Sequence, residues 1–142
     1  MIIQLQHIDE FAKELVGKMH RKEKKAFLVF LSGDLGSGKT TTTQSIAREL
    51  GIEEDITSPT FVILKRYEVK KGEFKNLIHI DAYRLKNYEE LQKIKFEGYL
   101  NDADNLILLE WPEMIDKEGL LADMVVRFEH GDKEGERMVE VV

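Results

Sequence analysis

The fold is decided by Ala26-Phe27-Leu28-Val29-Phe30-Leu31-Ser32-Gly33-Asp34-Leu35-Gly36-Ser37-Gly38-Lys39-Thr40-Thr41. Ala26 to Leu31 is short and wholly apolar, with β-branched and aromatic members, and reads as a strand buried on both faces. Three glycines then break the pattern. Thr40 to Leu50 reads as a helix stopped by Gly51, the residue type that most often follows a helix end. Gly33 to Thr40 matches G-x-x-x-x-G-K-[ST] at every fixed position. A chance match arises in roughly one chain of this length in a few hundred at average composition, and here it falls between a buried strand and a helix. The physical reason for the spacing is anion binding. Glycines permit positive φ and close backbone approach, successive N–H groups form a nest, and the helix adds its unpaired N-terminal N–H groups. Lys39 is then the group for the β- and γ-phosphates and the Thr40 hydroxyl a ligand of Mg²⁺.

Outward from this segment, Ile8, Phe11, Ala12, Leu15, Val16 and Met19 recur at helical spacing, closed by the charged run Arg21 to Lys25. Phe61 to Val69 and Leu77 to Tyr83 are rich in β formers and flank the turn Lys70-Lys71-Gly72-Glu73, which predicts an antiparallel hairpin and therefore a mixed sheet. Tyr88 to Tyr99 predicts a helix or helical pair, Leu106 to Leu109 a buried strand, and Asp123 to His130 with Arg137 to Val142 a terminal hairpin. Strand–helix alternation in the first half favours an α/β layer architecture.

The 142 residues are a normal length for one domain. The longest apolar run is six residues against the roughly 20 a membrane span requires, and no leading stretch has the pattern of a secretory signal. With no cysteine, disulfides and thiolate metal sites are excluded, and a cytoplasmic setting is expected. The net charge of −6 argues against a protein whose main task is coating nucleic acid, though not against a local basic patch.

A phosphate loop needs acidic help from the ends of neighbouring strands. Glu110 closes Leu106-Ile107-Leu108-Leu109 and precedes Trp111-Pro112, a pattern that suits a residue holding the metal or orienting a water, against the alternative of a surface glutamate. In His79-Ile80-Asp81-Ala82-Tyr83-Arg84, strand alternation puts His79 and Asp81 on one face and Ile78 and Ile80 on the other. That pair reads equally as catalytic or as structural. Ser58-Pro59-Thr60-Phe61 reads first as a plain loop and second as a rigid turn presenting Thr60 to a γ-phosphate. His7, His20 and His130 have no partner at ligand spacing and are expected on the surface.

The phosphate loop followed in order by Ser58-Pro59-Thr60-Phe61, His79-Ile80-Asp81-Ala82-Tyr83-Arg84 and Glu110-Trp111-Pro112-Glu113 resembles the bacterial TsaE (YjeE) family, the small ATPase of tRNA threonylcarbamoyladenosine biosynthesis. The resemblance covers nearly the whole chain. It implies one P-loop ATPase domain over residues 1–142, an α/β, P-loop NTPase-like three-layer fold with a mixed, partly parallel central sheet. It implies ATP and Mg²⁺ as cofactors and weak ATPase activity alone. It also implies TsaB and TsaD as partners, through which the complex places a threonylcarbamoyl group on the adenosine at position 37 of tRNA. By the same transfer, Thr40 and Glu110 hold Mg²⁺, Asp81 supports hydrolysis, Thr60 belongs to a nucleotide-sensing segment, and Gly33, Asp34, Leu35, Gly36, Ser37, Gly38, Lys39, Thr40, Thr41 and Trp111 line the nucleotide site. Ser37 stands where Ala is commoner, and Thr42 where a bulky apolar residue is usual.

The runner-up function is a small-molecule kinase with Asp81 as base and Arg84 clamping phosphate, against which the chain is short for a lid and an acceptor pocket. A third is a nucleotide-gated binding module that does not hydrolyse. The absence of an Asn-Lys-x-Asp tetrad disfavours a GTPase.

Overall fold

The computed structural model describes residues 1–34, 36–57, 63–115 and 119–142. Leu35 and the segment holding Ser58, Pro59, Thr60 and Phe61 lie outside them, so the expectations for Leu35 and Thr60 fall outside the described residues. The elements in chain order are β1 (Ile2–Gln4), α1 (Ile8–Gly17), β2 (Phe27–Gly33), α2 (Lys39–Glu49), β3 (Leu64–Glu68), β4 (Asn76–Asp81), α3 (Tyr88–Gln92), α4 (Phe96–Leu100), β5 (Asn105–Glu110), β6 (Met124–His130) and β7 (Glu136–Val141), with 3₁₀ turns at Leu5–His7 and Pro112–Met114.

Among the described residues the strands form one sheet in the order β1-β7-β6-β2-β5-β4-β3. Its centre, β6-β2-β5-β4, is parallel. The pairs β3–β4, β6–β7 and β1–β7 are antiparallel, so the mixed sheet expected from the two hairpins is present. The short strand β1 was not legible in the sequence: three residues are too few to show a period, and it exists because β7 offers it an edge.

Alternation along the central strands divides the core in two. Val29, Leu31, Leu77, Leu106, Leu108, Val126 and Phe128 face α1 and α2, where Phe11, Leu15, Ile46 and Ala47 cover them. Leu28, Ile78, Ile80, Ile107 and Leu109 face the other way, under Leu85, Leu91 and Phe96. The result is helix, sheet, helix: three layers with β2 and β5 buried on both faces. Helix α1 ends one turn earlier than the periodicity suggests, at Gly17, yet Met19 beyond it still packs in the core. Ser45 and Arg48 on α2 both donate to Asp9 Oδ1 on α1, at 2.6 Å each, and hold its carboxyl below the usual aspartate range.

Helix α2 opens on Lys39-Thr40-Thr41-Thr42-Thr43, a poor start by propensity because β-branched side chains lose χ1 freedom. Burial explains it: Thr42 and Thr43 are fully buried, and the Thr43 hydroxyl donates back to the Lys39 carbonyl at 3.0 Å. The Thr42 hydroxyl is buried with no partner. Thr42→Val keeps the shape and removes an unsatisfied polar group, so it should stabilise the fold by about 1 kcal/mol. Calorimetric melting should show a rise in Tm of roughly 2–4 °C; a fall would mean that the hydroxyl is satisfied in solution.

Candidate nucleotide site

Parallel register assembles the site. Leu31 lies beside Glu110, and Glu110 beside Asp81, so the C-terminal ends of β2, β5 and β4 are level and the phosphate loop leaves from that rim. Gly33 (φ 146°) starts the loop, and a Cβ there would come within 2.6 Å of the Phe128 carbonyl oxygen and 2.7 Å of Ser37 Oγ. Gly38 (φ 115°) caps α2 in a backbone region that side chains rarely adopt, against the Phe128 ring. Gly33 is therefore required twice over, by backbone conformation and by the close packing of β6 behind the loop, and Gly38 by backbone conformation alone.

Lys39 is only 5% exposed. Its ammonium donates to the carbonyl of Gly33 and, at 3.1 Å, to that of Asp34, and it sits 3.8 Å from the centre of the Trp111 ring. Burial pushes the lysine pKa down, and the carboxylates of Glu110, Glu113, Asp81 and Asp34 act against that shift. Trp111 takes a left-handed conformation (φ 61°), uncommon for so large a side chain. Its N–H donates to the Leu31 carbonyl at 3.2 Å, and its ring packs on Tyr83 with centroids 4.9 Å apart. The strained residue thus turns the chain after β5 so that the indole covers the loop lysine.

Glu110 is the hub. It is 2% exposed, its Oε1 accepts from the Thr40 hydroxyl at 3.3 Å, and its Oε2 meets His79 Nε2 at 2.5 Å. The surface-glutamate alternative is excluded by that burial. His79 is completely buried; among the described residues its side chain bonds Glu110 through Nε2, and its Nδ1 has no partner. Its contact with the site therefore runs through Glu110, which it orients. Asp81 shares the face with His79 as expected, but it is half-buried and open to the cleft, and its Oδ1 accepts from the Tyr83 N–H at 3.0 Å. Among the described residues, His79 thus bonds Glu110 while Asp81 bonds the Tyr83 N–H.

Gly36 to Thr41, Asp81, Glu110, Trp111 and Leu5 together line a cleft of about 140 Å³. A larger hollow of about 470 Å³ opens between α1 and β7, but it holds no part of the loop, so size alone would misplace the site. Arg84 is exposed and bonds to no described side chain. His7, His20 and His130 are exposed, as their spacing suggested. Three contributors were missed by sequence reasoning: Leu5 at the cleft, Glu113, which accepts from the Ser32 hydroxyl at 3.0 Å, and Arg137, which donates to the Gly36 carbonyl at 2.9 Å. Glu113 carried a signal, since it follows Glu110-Trp111-Pro112; the other two carried none.

Among the described residues no three His, Asp or Glu side chains converge on one point, so a self-sufficient protein cage for a cation is absent. The donors that do meet, the Thr40 hydroxyl and the Glu110 carboxylate, are hard oxygen atoms beside the glycine-rich loop. That set fits Mg²⁺, which is usually held by one or two protein oxygens plus phosphate and water.

The sequence model of the family described as "Threonylcarbamoyl adenosine biosynthesis protein TsaE" matches residues 3–139. The chain is 36% identical over 121 residues to a tRNA threonylcarbamoyladenosine biosynthesis protein TsaE of Haemophilus influenzae, covering 84% of this chain and 72% of that one. It is 38% identical over 102 residues to the protein of the same name in Streptomyces coelicolor, covering 71% and 67% respectively. The crystal structure of Bacillus subtilis YdiB superimposes with a TM-score of 0.69 at 25% identity, covering 98% of this chain and 80% of that one, which agrees with the P-loop NTPase-like layering. Phosphate loop, buried glutamate and a match from residue 3 to residue 139 coincide in one chain, which belongs to the TsaE family of threonylcarbamoyl adenosine biosynthesis proteins.

Proposed function

We propose that this chain binds MgATP in the cleft at the phosphate loop and hydrolyses it slowly. In this reading it acts in the cytoplasm as the ATPase subunit of a tRNA-modifying assembly with TsaB and TsaD. The observation that carries the proposal is the buried Glu110 tied to the Thr40 hydroxyl at the mouth of a glycine-formed nest.

Each residue has a separable task. The loop N–H groups and Lys39 bind the anionic tail, and Lys39 reaches it by exchanging its carbonyl partners for phosphate oxygens. Thr40 and Glu110 hold Mg²⁺, which when bound neutralises charge developing on the phosphates. His79 keeps the Glu110 carboxylate in one orientation. Asp81, the carboxylate open to the cleft, is placed to orient a water. Trp111 shields the loop lysine from solvent. Thr60 remains a proposed nucleotide sensor on sequence grounds. The transfer chemistry sits on the partners, since the chain has no cysteine nucleophile and no second cofactor motif.

Lys39→Ala removes charge-assisted hydrogen bonds worth roughly 1.5–3 kcal/mol each. Calorimetry should therefore show MgATP affinity lower by about tenfold or more. Asp81→Asn and Glu110→Gln should depress turnover more than nucleotide affinity; losses confined to melting temperature would instead make both residues structural. An arginine donated across an interface accelerates phosphoryl transfer by about 10³–10⁵-fold. Arg84 is exposed, and the chain alone is expected to turn over slowly. Turnover should rise when TsaB, TsaD and tRNA are added, with modified nucleoside appearing alongside phosphate. Equal rates with and without the partners would count against a shared mechanism, and radiolabel from the γ-phosphate on an organic acceptor would favour the kinase.

A further inference from the structure

The C-terminal hairpin reaches the phosphate loop. Because β6 runs parallel to β2 with Phe128 beside Gly33, its end lies on the same rim as the loop, and β7 turns back from there. The first residues of β7 are consequently at the rim too. Strand β1 adds to β7 with Ile3 beside Arg137, and the Leu5 N–H donates to the Gly135 carbonyl at 2.8 Å, bringing Leu5 to the cleft.

Arg137 spans from this hairpin to the loop. Its Nη2 donates to the Gly36 carbonyl at 2.9 Å and its Nη1 to the Glu136 carbonyl at 2.7 Å. Gly36 is left-handed (φ 73°), and the next N–H, that of Ser37, donates to the Asp34 carbonyl at 3.1 Å. The Gly36–Ser37 peptide is thus gripped at both ends. In a planar trans peptide the C=O and N–H point in opposite directions. Holding the carbonyl towards Arg137 therefore aims the Ser37 N–H into the loop, at the same Asp34 carbonyl that Lys39 uses. The Arg137 Nε–H is buried and, among the described residues, has no partner, so the side chain is held against the protein rather than extended into solvent.

We propose that Arg137 is a positioning residue for nucleotide binding: its guanidinium fork fixes the Gly36–Ser37 peptide so that the loop is preorganised for the anionic tail of a nucleoside diphosphate or triphosphate. The inference rests on the nucleotide-binding reading above. A fork that serves two carbonyls from fixed directions needs the planar guanidinium, and a lysine supplies the charge without that geometry. Preorganisation of the loop lowers the cost of binding any polyphosphate tail, so its loss should weaken affinity for diphosphate and triphosphate alike.

The test compares wild type, Arg137→Lys and Arg137→Gln by calorimetry with MgADP and MgATP, and by amide hydrogen exchange at Ser37 in nucleotide-free protein. The expected result for Arg137→Gln is about tenfold weaker binding of both nucleotides. Ser37 exchange should be faster in Arg137→Gln, and Arg137→Lys should fall between wild type and Arg137→Gln in both affinity and exchange. Wild-type affinities and Ser37 protection in both variants, while Lys39→Ala loses binding, would overturn the role of Arg137 and leave the nucleotide reading standing. Failure of the wild-type chain to bind either nucleotide would overturn both. A variant that melts early is judged on Arg137→Lys, whose folded fraction must still show weaker binding of both nucleotides; full affinity there overturns the proposal.

Discussion

One-residue slippage between β2 and β5 would dismantle the site, because side chains alternate faces along a strand. The parallel pairing of Leu31 with Glu110 is what turns the glutamate onto the α2 face of the sheet and brings its carboxylate to the first turn of that helix. Register is held by the apolar alternation on both sides. Leu106 and Leu108 face α1 and α2 while Ile107 and Leu109 face α3 and α4, so a one-residue shift would put each set in the wrong layer. The core and the site are thus one constraint expressed at two ends of the same strands.

The site concentrates polar groups where burial is costly. Glu110, His79 and Lys39 are all nearly or wholly buried. An uncompensated charge there would be strongly destabilising, and each of the three is instead matched: glutamate with histidine and threonine, lysine with two carbonyls and an indole ring. The matching is incomplete in a telling way. Among the described residues, the buried polar atoms without a partner include Ser37 Oγ in the loop, Arg137 Nε on the side chain that bonds Gly36, and Nδ1 of the His79 that bonds Glu110. Polar groups left unsatisfied around a recognition loop are stability given up for geometry.

The same loop is supported from two directions that are far apart in sequence. Trp111 and Glu113, just after β5, hold Lys39 and Ser32 from one side. Phe128, Arg137 and Leu5, from the β6–β7–β1 edge, pack and bond the other. Antiparallel addition of β7 and β1 to a parallel centre is what makes the second support available. A strand that returns from the rim necessarily begins there.

Local chemistry determined much of this protein from the residues alone. Glycine spacing, a lysine and a hydroxyl specified the nest; apolar runs specified β2 and β5; the turn at Lys70 to Glu73 specified an antiparallel pair. Those features are written within a few residues of one another, where steric limits and hydrogen-bonding rules act directly. Tertiary structure decided the rest. Whether His79 served Asp81 or Glu110 depended on the lateral order of β4 and β5, and the work of Arg137 and Leu5 depended on a hairpin reaching the loop, about 100 residues from Gly36 in the case of Arg137. Strand order and register are set by the packing of both apolar layers at once, so no single stretch of sequence contains them.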